Sequence, residues 1–192
     1  MIKQYKTLID LFEDQKQSQS IIRFISGEKD EHTLTFEQFW QETLQFLGTL
    51  QSKGIKPNDE LIILTTSNKR FLLSFWASIL GGIIPVPVAP GISDEHKSKL
   101  FHVAEHLNHP SLVTDNDTLE RLTKFVKNRN ISDSKSLLTS HCITADNSQL
   151  KGKVLQRNPN DIAFIQYSSG STTVPKGIVL SHKNLTSNIY SI

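Results

Sequence analysis

Apolar positions in this chain follow two alternating rhythms, one helical and one strand-like. Leu8, Ile9, Leu11 and Phe12 form the stripe of a first helix. Ile21 to Ile25 and His32 to Thr35 read as a hairpin around Gly27-Glu28-Lys29-Asp30. Thr35 then stands where it can cap a helix carrying Phe36, Phe39, Trp40, Leu44, Leu47 and Leu50 at near-helical spacing. Gly54 ends that helix, and Pro57-Asn58-Asp59 makes a turn.

The rhythm then alternates. A buried strand over Leu61 to Leu64 is followed by an apolar helix from Asn68 to Leu80, stopped by Gly81-Gly82. Ile83-Ile84-Pro85-Val86-Pro87-Val88 is strand-like, but its prolines limit its length and favour an edge or a loop exit. A helix from Ser93 to Leu107 ends before Pro110, Ser111 to Thr114 is a short strand, and Asp117 to Lys127 is another helix. From Arg129 to Asn160 the chain is polar and poorly periodic, with a strand expected near Leu137-Leu138 or Cys142-Ile143. Strands separated by helices of this length imply parallel βαβ units, hence an α/β fold with a mainly parallel sheet and flanking helices. Ligands of such sheets bind beyond the carboxyl ends of the strands.

The richest chemistry lies near the end of the chain. Ile162 to Ile165 reads as a buried strand that opens into Ser168-Ser169-Gly170-Ser171-Thr172-Thr173, then Lys176 and Gly177, before a second apolar run, Ile178-Val179-Leu180. Hydroxyls and exposed backbone N–H groups suit phosphate oxygens, and Gly170 and Gly177 let the backbone come close. Lys176 adds a mobile positive charge. A Walker A loop, G-x-x-x-x-G-K-(S/T), does not fit. Counting from Gly170, its second glycine has become Pro175, and the hydroxyl that would follow the lysine has become Gly177. Proline also removes one donor from the nest. A disordered Ser/Gly linker does not fit either, because this loop sits between two apolar strand candidates.

Tyr167 to Gly177 resembles the signature loop of the adenylate-forming enzymes, Y-(S/T)-S-G-(S/T)-T-G-x-P-K-G. That superfamily comprises acyl-CoA synthetases, fatty acyl-AMP ligases and the adenylation domains of nonribosomal peptide synthetases. The match breaks at Thr173, where the family usually has glycine. Leu180-Ser181-His182-Lys183-Asn184-Leu185 is similar to the family's continuation. Upstream, Thr33 to Phe39, Gly54 to Glu60 and Ala77 to Pro90 follow the family's opening layout, so the resemblance covers essentially the whole chain.

The resemblance implies the N-terminal portion of such an enzyme's large domain. Residues 1–192 would open an AMP-binding domain, with an early subregion over 1–60. The implied reaction is attack of a fatty or amino acid carboxylate on the α-phosphate of ATP, with Mg²⁺ accompanying the nucleotide. Acyl-AMP and pyrophosphate result, and the acyl group then passes to the thiol of CoA or of a carrier protein's phosphopantetheine. By the same resemblance Ser168, Ser169, Gly170, Ser171, Thr172, Thr173, Lys176 and Gly177 hold the phosphates, with Lys176 the catalytic member. No magnesium ligand is identifiable. Without nucleotide the loop is expected to be mobile, since hydroxyl- and glycine-rich loops make few packing contacts. The family's acid pocket, ribose-binding aspartate and C-terminal catalytic lysine have no counterpart here, so an N-terminal piece that does not turn over alone is expected. The other reading is a non-catalytic nucleotide-binding or docking module that keeps the fold.

Composition is that of an ordinary globular protein, 37% apolar and 21% charged with net charge +2, which gives no reason to expect nucleic acid or an anionic membrane as partner. The single cysteine, Cys142, excludes an internal disulfide and fits a reducing compartment. No apolar run approaches the roughly 20 residues of a membrane span, and the N-terminus has no signal-peptide core, so the cytoplasm is expected.

Other constellations point to structure rather than chemistry. His102-Val103-Ala104-Glu105-His106 spells the zinc-peptidase pattern H-x-x-E-H, but Leu100, Val103, Ala104 and Leu107 take the apolar stripe, leaving both histidines on a solvated face. Asp94, Glu95, Asp115, Asp117 and Glu120 lie near turns or helix starts and read as capping residues. Trp40 and Trp76 lie on apolar stripes and read as core.

Overall fold

The structure is a computed structural model that describes residues 3–26, 30–91, 93–129, 135–145, 149–168 and 175–191. A parallel sheet is its frame. Strands β3 (Glu60–Leu64), β4 (Ile84–Pro87), β5 (Ser111–Thr114) and β6 (Cys142–Ile143) run in the order β4-β3-β5-β6. The preceding elements are α1 (Leu8–Gln15), the antiparallel pair β1 (Ile21–Ser26) and β2 (Asp30–Thr35), and α2 (Phe36–Ser52). Between the parallel strands run α3 (Asn68–Gly81), α4 (Asp94–Glu105), then α5 (Asn116–Arg129) and the short α6 (Lys135–Thr139).

Successive strand residues feed opposite faces, as the pleat requires. Leu61, Val113 and Ile143 join a core with Leu47, Leu50, Ala77 and Leu80 of α2 and α3. Ile62, Leu64 and Leu112 join a second core with Leu100, Val103, Leu122 and Phe125 of α4 and α5. The sheet is therefore covered on both sides, which is why its strands read as continuous apolar runs. Trp40 and Trp76 are packing residues as expected: Phe12 stacks on Trp76 with centroids 4.3 Å apart and contacts Trp40 at 5.2 Å.

Local signals fix the element ends. The Thr35 hydroxyl accepts from Gln38 N–H while the Gln38 side chain accepts from Thr35 N–H, a capping box that starts α2. Gly54 follows the helix at φ +84°, and Gly82 closes α3 at φ +66°, a left-handed conformation that suits glycine. Of the two places proposed for a strand after α5, Leu137-Leu138 is helical and Cys142–Ile143 is the strand. The turn of the β1–β2 hairpin lies outside the described residues.

The prolines of β4 act as the sequence suggested. Ile84 N–H donates to Asp59 O and Val88 N–H to Ile63 O, so the even positions bond β3. Pro85 and Pro87 face the other way and have no N–H to offer. β4 is accordingly an edge of the hydrogen-bonded sheet, although β7 (Ile162–Ser168) packs beside it.

The stretch read as merely polar has a defined course. Residues 149–160 form an extended strap across α2 and α3. Gly152 N–H donates to Leu44 O (2.7 Å), Lys153 and the Gln51 amide exchange two bonds of 2.9 Å, and Leu155 N–H donates to Leu80 O (2.8 Å). Two glycines permit the crossing. A Cβ on Gly48 would overlap the Leu150 carbonyl, and one on Gly152 would stand 2.6 Å from Gly48 N. Near the strap's end the Arg157 guanidinium donates to Asn58 Oδ1 (2.7 Å) and pairs with Asp161 (3.1 Å), delivering the chain to β7. Gly152→Ala should therefore destabilise the fold by about 1–3 kcal/mol through backbone overpacking; urea denaturation of both proteins measures it.

Candidate functional site

β7 pairs antiparallel with β8 (Lys176–Ser181), and α7 (His182–Tyr190) follows directly. The loop singled out in the sequence is thus the connection of a hairpin. It leaves the carboxyl end of a strand, as expected, but returns into an antiparallel partner rather than a helix. The next described element after the loop is a strand, whereas Walker and dinucleotide-binding loops lead into a helix N-terminus.

Ser168 ends β7 and Lys176 begins β8, and the two residues face each other across the ladder. Ser169, Gly170, Ser171, Thr172 and Thr173 lie outside the described residues, and so does the expectation about the loop's mobility. Lys176 is exposed and has no ion-pair partner among the described residues. One step back from the mouth, Tyr167 faces Gly177. A Cβ on Gly177 would stand 3.1 Å from Tyr167 Cζ, so the ring lies over the glycine and takes the space a side chain would fill. Burial, with the nearby Glu60 charge, pushes the Tyr167 phenol up and keeps it neutral.

The two strands are held very differently. β7 is inserted into the protein: Ala163 and Ile165 are buried, and Phe164 meets Phe75 edge-on at 5.6 Å. β8 is open to solvent on both faces from Lys176 to Val179, with Ile178 52% and Val179 55% exposed, while Leu180 and Ser181 are half-buried. What fixes β8 lies at its far end. The Ser181 hydroxyl accepts from Asn184 N–H in a capping box that starts α7. His182 N–H donates to Asp161 O (3.1 Å), and Lys183 N–H to Pro159 O (2.7 Å). The His182 side chain is 1% exposed and its Nδ1 accepts the Leu8 N–H at 3.3 Å. That bond puts the ring proton on Nε2. Burial first, then the Arg157 charge, lowers the His182 pKa, against the opposing pull of Asp161 and Asp10. The sequence had offered His182 only as part of a continuation; its burial depends on contacts 174 residues apart.

A second concave region lies beyond the carboxyl ends of β3, β4 and β5. It is a cavity of about 210 Å³ whose lining includes Leu64, Thr66, Gly91, His96 and Arg121. Asp115 organises its rim. Its carboxylate accepts from Thr65 Oγ1 (2.7 Å), Thr66 N–H (2.7 Å) and Thr66 Oγ1 (3.0 Å). Burial works against that charge, but these donors, with Arg70 nearby, hold it below the usual carboxylate range. Asp115 thus ties two loops together instead of using its carboxylate to cap α5. Glu120 likewise ion-pairs with Lys124 one turn on, and the cap of α4 is the Ser93 hydroxyl, with Asp94 and Glu95 in the first turn.

His102 and His106 are both exposed, and His106 Nδ1 bonds only its own helix at His102 O. Among the described residues no three His, Cys, Asp or Glu side chains are grouped to hold a metal ion. Burial pushes the Cys142 thiol up to about 11, which leaves it protonated and poorly nucleophilic at neutral pH. Among the described residues no helix is long and apolar enough to cross a membrane.

Comparison with known proteins agrees with this geometry. The pattern of the AMP-binding enzyme family matches residues 12–192. A long-chain-fatty-acid–AMP ligase of Mycobacterium marinum is 26% identical over 148 residues, covering 76% of this chain and 23% of the relative. A medium-chain-fatty-acid–acyl-carrier-protein ligase of Moorena producens is 27% identical over 196 residues, covering 95% and 32%. Among solved structures, the fatty acyl-adenylate ligase from L. pneumophila in complex with acyl adenylate and pyrophosphate superposes with TM-score 0.81 at 25% identity, covering 97% of this chain and 32% of that one. The chain therefore spans a quarter to a third of the length of these relatives.

The Tyr167–Gly177 contact can be tested by itself. Gly177→Ala should cost about 1 kcal/mol in the wild-type background and close to nothing beside Tyr167→Leu, which removes the ring. A double-mutant denaturation cycle measures the difference.

Proposed function

Because the chain belongs to the AMP-binding enzyme family, we propose that its β7–β8 hairpin grips the β- and γ-phosphates of ATP in an enzyme that activates a carboxylic acid as acyl-AMP. The observation that carries this reading is the pairing of Ser168 with Lys176. It stands an exposed lysine, without a carboxylate partner among the described residues, at the mouth of a loop of hydroxyls and glycine. Ser168, Ser169, Gly170, Ser171, Thr172, Thr173, Lys176 and Gly177 are the residues assigned to the phosphates.

In the proposed reaction a carboxylate oxygen forms a bond to the α-phosphorus, and the bond from that phosphorus to the bridging oxygen of the β-phosphate breaks. Pyrophosphate leaves with the electron pair. Charge therefore builds on the β- and γ-phosphates, where the Lys176 ammonium and the loop's donors lie. Such groups help when they are in position before the charge develops. Among the described residues no three His, Cys, Asp or Glu side chains are grouped to hold a metal ion, and Mg²⁺ would enter with the nucleotide's own phosphates.

A fatty acid is the proposed substrate class, since the ligases named above act on fatty acids; an amino acid is the runner-up. The proposed acceptor is a thiol, either of a carrier protein's phosphopantetheine or of CoA. The cytoplasm, which supplies ATP, is the proposed compartment. Thr173, in place of the family's usual glycine, favours the alternative of a module that binds nucleotide without catalysis. ATP–pyrophosphate exchange with a panel of fatty acids, run on the enzyme that carries these residues, separates the two: exchange with any acid supports activation, and none in a folded protein supports the module. Lys176→Ala should lower that exchange roughly ten- to a hundredfold, the equivalent of about 1.5–3 kcal/mol for a charge-assisted contact, with the melting temperature unchanged.

A further inference from the structure

An exposed strand has a weak hold on its register. Slipping β8 by one residue would carry Lys176 along by about 3.3 Å and turn it to the opposite face of the hairpin. The hydrophobic pattern resists the slip only weakly, because Ile178 and Val179 are both exposed and only Leu180 is half-buried; the ladder's one irregularity lies between Ile162 and Phe164. Further resistance comes from the strand's ends. At the loop end Gly177 lies under Tyr167, where a longer side chain would displace the ring. At the other end the first fully buried side chain after β8 is His182.

His182 is bonded to two separate parts of the chain and lies in the field of a charge from a third. Its Nδ1 takes the Leu8 N–H, one of the first-turn donors of α1 that has no partner within its own helix. Its backbone N–H bonds Asp161 O, in the turn that launches β7. The charges acting on the ring are Arg157 from the strap, Asp161 from that turn and Asp10 from α1. A buried ring with one accepted bond and one protonated nitrogen fits this position only when uncharged, since a second proton would have to occupy the nitrogen that accepts from Leu8.

We propose that His182 is a positioning residue that pins the register of β8 between α1 and the β7 turn, and so holds Lys176 opposite Ser168. Its relevance to catalysis rests on the phosphate reading above; the pin itself does not. The sign of its pH dependence follows from the depressed folded-state pKa. The hold is complete above the ordinary histidine value of 6.5 and is lost as pH falls below it, because the released ring takes up the proton first.

Amide hydrogen exchange on the labelled 192-residue chain tests this, with rates corrected for intrinsic pH dependence. Wild-type protection in the β7–β8 ladder should fall about tenfold from pH 7.5 to pH 5.5 while that of β3 and β5 holds. His182→Asn, which keeps an uncharged acceptor near the Nδ1 position, should retain the protection and abolish the pH step. His182→Ala should lose protection at both pH values. The same pH step in His182→Asn, or wild-type protection in His182→Ala, would overturn the pin. If His182→Ala does not fold, the wild-type and His182→Asn profiles decide, and a flat wild-type profile overturns it. Titration with inorganic pyrophosphate at pH 7.5 reads the other premise. An unmoved Gly177 amide in the wild type would overturn the phosphate reading, while the exchange profiles would still decide the pin.

Discussion

A strand that is wet on both faces cannot choose its neighbours by burying apolar surface, so it has to be held at its ends and along one ladder. β8 is such a strand from Lys176 to Val179, with Leu180 and Ser181 half-buried, and the arrangement around the loop follows from that constraint. β7 supplies the ladder and is itself fixed in the core by Ala163, Ile165 and Phe164. Tyr167 and Gly177 close one end by shape, and His182 closes the other by a buried hydrogen bond. With those restraints Lys176 stands exposed at the loop's mouth, with no ion-pair partner among the described residues. A lysine free of structural duties is available to a ligand.

The parallel sheet contributes indirectly. Its two covered faces make a rigid block, and the strap of residues 149–160 takes the chain across α2 and α3 to the start of β7. The Gly48–Gly152 crossing brings the strap down onto the α2 backbone, and Arg157 couples its end to the turn at Asn58 and to Asp161. The Asp161 carbonyl in turn receives the His182 N–H, so the strap and the end of β8 meet at the same turn. Position is thus handed from the α/β block to the hairpin through a short series of backbone bonds.

Much of this was legible in the sequence, for identifiable reasons. The helices carried caps with a physical signature, Thr35 with Gln38 and Ser93 ahead of α4, and their ends fell within a residue or two of expectation. Strands β3 and β5 were visible because both faces are buried. The prolines of β4 marked an edge because their missing N–H groups all fall on one side. The strap was not legible, since an extended segment held by backbone bonds to distant helices leaves no periodicity. Nor was the role of Asp115, which bonds residues about 50 positions away, or that of His182, whose partner is 174 positions away. The hydroxyl-rich loop was legible as candidate phosphate chemistry; its setting between two antiparallel strands was not.

The central claim is that polyphosphate is gripped by the hairpin and not by the cavity at the carboxyl edge of the parallel sheet. Amide chemical-shift mapping of the labelled chain during titration with inorganic tripolyphosphate tests it most directly. The account predicts that shifts concentrate at Tyr167, Ser168, Lys176 and Gly177, with Thr66, Gly91, His96 and Arg121 unmoved. Shifts concentrated at those four cavity residues, with the hairpin silent, would contradict it.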